Sequence, residues 1–149
     1  MKVKVEDKKI VLYLYNYFFS SYQKQSITKE IKNIFIKLIK YYNLEFKGIY
    51  NVYVYENTSY GTILEIELEQ ELLFNRDIID IKVKILTDKE MYLKTNNYEI
   101  IEEYENIYFK DNNYYINIKN VSNLINILEF IDIIYNENEN FLFDMIFIK

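Results

Sequence analysis

The 149-residue chain carries 18 basic residues against 23 acidic ones, a net charge of −5, and half of its residues are hydrophobic. That length suits one domain with a sizeable core, and that apolar content excludes global disorder. With no cysteine and no histidine, disulfides, thiolate chemistry, zinc–sulfur sites and the usual neutral-pH general base are excluded.

The composition is strongly biased. Alanine, proline and tryptophan are absent, Gly48 and Gly61 are the two glycines, and Arg76 is the sole arginine. Residues with A/T-rich codons fill the gaps, so the 17 tyrosines reflect codon usage as much as base stacking or a sticky interface. Charge is uneven along the chain. Residues 1–48 hold ten lysines against four acids, a net of +6. Residues 49–149 hold eight basic residues against nineteen acids, a net of −11. Such halves either complement each other or present different faces to partners.

In chain order, 3–5 and 10–19 read as strands around a turn at Asp7 and Lys8. Lys2, Lys4, Lys8 and Lys9 ahead of that apolar run imitate a signal peptide, but Glu6 and Asp7 interrupt the basic region and no small-residue cleavage site follows. No apolar run reaches the ~18 residues of a membrane span, so no membrane partner is expected and the location is read as cytoplasmic. Ser26 is a plausible N-cap for a helix over 27–43, with Ile27, Ile31, Ile34, Phe35, Leu38 and Tyr42 at helical spacing and Asn43 as its left-handed end. Strands are expected at 49–56, 60–70 and 78–86. In the last two, Glu65, Glu67 and Glu69, then Asp80, Lys82 and Lys84, alternate with aliphatic residues, which implies one charged and one buried face.

The capping box Thr87-Asp88-Lys89-Glu90 predicts a short helix, ended by Asn96 and Asn97. Residues 98–104 lean strand. Asp111-Asn112-Asn113 joins 107–110 and 114–119 as a hairpin. Ser122 is expected to cap a second helix with Leu124, Ile125, Leu128, Ile131 and either Ile134 or Tyr135 on its inner side. After the acidic loop 136–140, the apolar run 141–148 reads as a central strand. The fold class is therefore α+β, a single domain over 1–149 with two main amphipathic helices packed on one face of a mainly antiparallel sheet.

Three residue sets carry the candidate chemistry. Asp80 and Lys82 form a D-x-K triplet on a strand, which sets carboxylate and ammonium on one face, and Glu67 (or Glu65 or Glu69) would add the second acid of a divalent-cation site. With the order helix, three strands, helix, strand across 27–104, this resembles the core of the PD-(D/E)xK nucleases. The resemblance implies a Mg-dependent nuclease. No Pro-Asp precedes the triplet, and the same pattern recurs at Glu6–Lys8, Asp7–Lys9 and Glu45–Lys47. A solvated face with cross-strand ion pairs is the plainer reading. Secondly, Lys29, Lys32, Lys37 and Lys40, with Lys24 and Lys47 nearby, could contact nucleic-acid phosphates. Thirdly, Glu99, Glu102, Glu103 and Glu105, with Glu137 and Glu139, could engage a basic protein groove. Ordinary solvated faces would account for both patches.

Glycine-rich phosphate loops are excluded by two isolated glycines, and the S-x-x-K at Ser21–Lys24 lacks its companion motifs. No metal site and no cofactor are expected. Elimination leaves a non-enzymatic protein-binding module with a regulatory or inhibitory role, of which an antagonist of a host defence enzyme is one concrete version. An exposed edge strand would serve a homodimer.

Overall fold

The computed structural model describes residues 1–46, 48–71, 79–87 and 89–149, with the backbone alone at Ile79. Lys47, Arg76, Ile78 and Asp88 lie outside the described residues. The chain divides into two compact units, the first Met1–Glu56 with Gly61–Thr87, the second Asn57–Tyr60 with Asp88–Lys149.

The first unit is built on α1 (Lys24–Tyr42). Its buried residues, Ile27, Ile31, Ile34, Phe35 and Leu38, belong to the expected apolar face, whose last member, Tyr42, is instead exposed, and Asn43 ends the helix at φ 54°, ψ 36°. The helix begins earlier than Ser26: extended Gln23 is the cap, its N–H held by Ser21 Oγ at 3.2 Å. Five strands pair beneath it: β1 (Lys2–Val5), β2 (Lys9–Tyr15), β3 (Gly48–Asn57), β4 (Gly61–Gln70) and β5 (Ile79–Leu86), in the order β1-β2-β4-β3-β5. The β1–β2 and β2–β4 pairs are antiparallel, and β3–β5 is parallel.

Leu12, Leu14, Tyr50, Val52, Val54, Leu64, Ile66 and Ile81 join the helix residues in one core. Phe35 stacks on Phe46 at 4.3 Å, and Tyr50 meets both rings edge-on. The exit from β2 is tied down separately: Thr62 Oγ1 donates to the Tyr17 carbonyl at 2.7 Å. The Tyr17 phenol is bonded to Glu30 of α1, and burial and that carboxylate raise its pKa.

The opposite face of this sheet departs from the expectation of uniform charge. Val11, Ile63, Tyr55 and Glu65 are buried on it, while Glu67, Glu69, Asp80, Lys82 and Lys84 are exposed. Glu65, 7 % exposed, pairs with Lys9 on the neighbouring strand at 3.0 Å.

The second unit is a sheet of β6 (Tyr92–Thr95), β7 (Ile107–Lys110), β8 (Asn113–Asn117), β9 (Asp132–Ile134) and β10 (Ile146–Phe147). Its order is β10-β7-β8-β6-β9, and its four strand pairs are antiparallel. The β7–β8 hairpin turns through Asp111 and Asn112 at φ 51° and 63°, the conformation that two-residue hairpin loops require. Leu93, Ile107 and Ile116 are fully buried on one face of the sheet. Tyr92 and Tyr115 on the other face pack against Phe141. Aromatic pairs of this kind add ~0.5–1.5 kcal/mol each beyond burial.

The α+β reading with two main helices is overturned: the described residues hold one α-helix and ten strands in two sheets. Thr87, Lys89 and Glu90 form turn and irregular chain, so the helix expected there is not formed. Residues 98–104 form a 3-10 turn (Tyr98–Ile100) and further turns rather than strand. The second helix breaks into two 3-10 turns, Leu124–Asn126 and Leu128–Phe130, followed by β9. Its apolar spacing was helical, but Asn123 enters at φ 54° and the run is rich in β-branched isoleucine, which loses rotamer freedom in a helix. Pairing Asp132–Ile134 on the open side of β6 satisfies that backbone instead. The final apolar run makes turns over 141–144 and then the two-residue edge strand β10, not a central strand.

Candidate interaction surfaces

The D-x-K pair lies on β5, an edge strand, and Asp80 and Lys82 are exposed. Lys82 Nζ is engaged by Glu69 of β4, at 3.1 Å to Oε1 and 3.0 Å to Oε2. That contact puts Glu65, Glu67 and Glu69 on the same sheet face as Asp80 and Lys82. However, β3 lies between β4 and β5, so Glu67 and Asp80 stand at least two strand spacings apart, roughly 9.5 Å or more. Glu67 is instead in register with Lys9 of β2. Among the described residues, no group of three or more acids, histidines or cysteines is placed to hold a metal ion. The helix that completed the nuclease-like element order is not formed.

Lys29, Lys32, Lys37 and Lys40 all emerge on the outer side of α1, opposite the buried row. A depression of about 750 Å³ runs along Lys24, Gln25, Thr28, Lys29, Lys32 and Asn33. Each of those side chains offers a hydrogen-bond donor, and none is a carboxylate.

Glu99, Glu102, Glu103 and Glu105 are all exposed in the second unit. Glu99 belongs to the 3-10 turn, whose cap Asn97 accepts the Glu99 N–H at 3.1 Å. The other three line the turn leading into β7. Tyr104, between them, is buried and donates its hydroxyl to the Ser122 carbonyl at 2.7 Å, which anchors the turn. Burial and the adjacent Glu103 carboxylate raise the Tyr104 pKa.

The structure brings to this acidic turn a feature that the sequence reading took for a buried strand. Phe143 is 82 % exposed and Ile146 63 %, and Phe147 and Ile148 are exposed as well. The backbone of β7 fixes this strip, since Ile148 N–H donates to Ile107 O at 2.7 Å and Ile107 N–H to Lys149 O at 3.0 Å. Lys149 Nζ donates to the Glu102 carbonyl at 2.6 Å, so the end of the apolar strip abuts the acidic turn. At its other end lies a depression of about 460 Å³ whose lining includes Asp111, Glu137, Asp144, Tyr115, Phe141 and Phe143. Lys110 pairs with Asp144 on its rim, and the shared hydrogen bond raises the lysine pKa and lowers that of the aspartate. Ile146 and Phe147 project to opposite faces of this edge strand, Phe147 packed edge-on against Tyr108, so exposed apolar side chains with acids at both ends line the edge of one sheet. The only sequence signal for it was the density of large apolar residues in the final run.

No family model matches the chain, and no curated protein or solved structure matches it either.

Proposed function

We propose that this chain is a non-enzymatic protein-binding module that regulates or inhibits a partner through the second unit. The observation that carries this reading is the apolar strip of Phe143, Ile146, Phe147 and Ile148 flanked by the acidic turn and the acid-lined depression. Contiguous exposed apolar surface rimmed by polar groups marks interaction sites. The partner is a protein presenting a basic surface around an apolar contact. The charge argument is local: the second unit holds twelve acids against five lysines, a net of −7. Apolar contact would supply affinity and the acids orientation and association rate. A nucleic-acid-binding enzyme of a host defence system has such a basic groove and is a concrete target for the inhibitory version.

The test is a tagged pull-down from nuclease-treated host lysate, using the wild-type chain, Glu102/Glu103/Glu105→Lys and Ile146/Phe147→Asp. A stoichiometric partner retained by the wild type and lost by both variants is expected. A partner held equally by all three would sink the assignment to this surface.

A further inference from the structure

The acidic surface leaves the basic outer face of α1 unexplained. Away from the helix, Lys4, Lys9, Lys82, Lys110 and Lys119 each sit beside a carboxylate, while Lys8, Lys84 and Lys94 form no ion pair among the described residues. On α1, Lys24, Lys29, Lys32 and Lys37 form no ion pair among the described residues. Lys40 instead lies 5.4 Å from the centre of the Tyr41 ring. These five ammoniums span ~24 Å of helix axis, the length of about seven phosphates of one strand at duplex spacing.

Aromatic rings are exposed at both ends of this basic row. Phe18 and Tyr22 precede the helix, and Tyr41, 69 % exposed, and Tyr42 end it. A cationic track with aromatic platforms is the mode by which proteins hold single strands, with phosphates on the cations and bases stacked on the rings. The single arginine, Arg76, argues against base readout in a duplex groove, where arginine leads. A bilayer surface fits less well. Exposed Ile36 stands between Lys32 and Lys40 at four-residue spacing, so the outer face offers no continuous apolar stripe to bury in lipid.

We propose that the outer face of α1 binds single-stranded nucleic acid without sequence preference, through Lys24, Lys29, Lys32, Lys37 and Lys40 with Tyr41 as a stacking platform. The proposal uses the first unit only and stands or falls independently of the protein-binding reading.

Fluorescence anisotropy with fluorescein-labelled dT20 and U20, from 25 to 200 mM KCl, tests it on the full chain. Five phosphate contacts predict a slope of log K against log salt of about −3.5. Lys29/Lys32/Lys37/Lys40→Gln, with an unchanged circular dichroism spectrum, should flatten that slope to about −0.7 and weaken binding more than tenfold at 50 mM KCl. Tyr41→Ala should weaken it about fivefold or more. Lys2/Lys4→Gln, which removes charge from β1, should leave binding unchanged. No binding at 25 mM KCl, a salt-independent signal, or equal binding by the α1 variant overturns the proposal. So does capture by phosphatidylglycerol vesicles without oligonucleotide binding, which would reassign the face to a lipid surface. If the quadruple variant misfolds, the wild-type salt slope alone decides.

Discussion

Replacing Gly61 with alanine should be among the most damaging single changes in the first unit. Gly61 opens β4 opposite Tyr15 at φ +129°. A Cβ there would lie 2.6 Å from both the Leu14 carbonyl oxygen and the Asn16 nitrogen, and 2.9 Å from the Tyr17 nitrogen. All three are backbone atoms of the turn that leaves β2, so no side chain can swing aside. Holding an L-residue in this glycine-only region costs ~1–3 kcal/mol. Displacing packed backbone costs a further ~1–3 kcal/mol. The lower entropy of the unfolded alanine chain returns ~0.4–1 kcal/mol. The net is a destabilisation of about 2–5 kcal/mol, a large share of the ~5–15 kcal/mol that keeps a domain folded. At ~2–4 °C per kcal/mol for a chain of this size, the melting temperature should fall by around 10 °C. Urea unfolding followed by far-ultraviolet circular dichroism and tyrosine fluorescence measures the difference. Asn16→Gly is the control: at φ 56° asparagine is already tolerated, and the change should stay within ~1 kcal/mol. A loss below ~1 kcal/mol for Gly61→Ala would refute the close-approach argument.

Two ion pairs of the first sheet should differ sharply in value. Lys9→Met removes the partner of a mostly buried carboxylate, Glu65, and should cost ~2 kcal/mol. Lys82→Met opens the exposed pair with Glu69 and should cost under ~1 kcal/mol. Equal costs in urea unfolding would mean that burial does not set the strength of these pairs. A pH effect follows from Tyr55, whose phenol is pushed up to about 12 by burial and then by Glu65 and Tyr53. Below pH 10 folded and unfolded chains both keep that proton. Between pH 10 and about 12 only the unfolded chain releases it, so stability should fall with rising pH through that window, by ~2–3 kcal/mol in all. Tyr55→Phe should flatten the decline, and an identical slope in wild type and variant would remove Tyr55 as its source.

Where local chemistry decides structure, the elements were legible in the sequence. The apolar row of α1, the Asn43 end and the Asp111–Asn112 turn each follow from one residue type at one spacing. Residues 122–135 were misread because helical spacing was weighed above isoleucine content, and because pairing with β6 is a tertiary event with no local signature. The run 141–148 was misread for a related reason. An apolar stretch announces burial or contact but not which, so the strip that now carries the proposed function looked like core. The acidic turn and the lysine face were visible as charge. The neutral-looking partners that turn them into surfaces, Ile146 and Phe147 in one case and Tyr41 in the other, were not.

Among the described residues, six positions outside glycine adopt positive φ: Asn16, Asn43, Asn106, Asp111, Asn112 and Asn123. Five are asparagine and one aspartate, in a chain with two glycines. The left-handed bend is a demand of the turn, and in a chain this poor in glycine asparagine meets it. Asparagine meets it at some energetic cost, because its Cβ is tolerated there rather than absent. The chain therefore carries a dispersed reserve of stability: asparagine-to-glycine changes at these turns relieve the bend, at the expense of a floppier unfolded state. Gly61 is a position whose geometry no asparagine can imitate, since any Cβ there meets backbone on three sides.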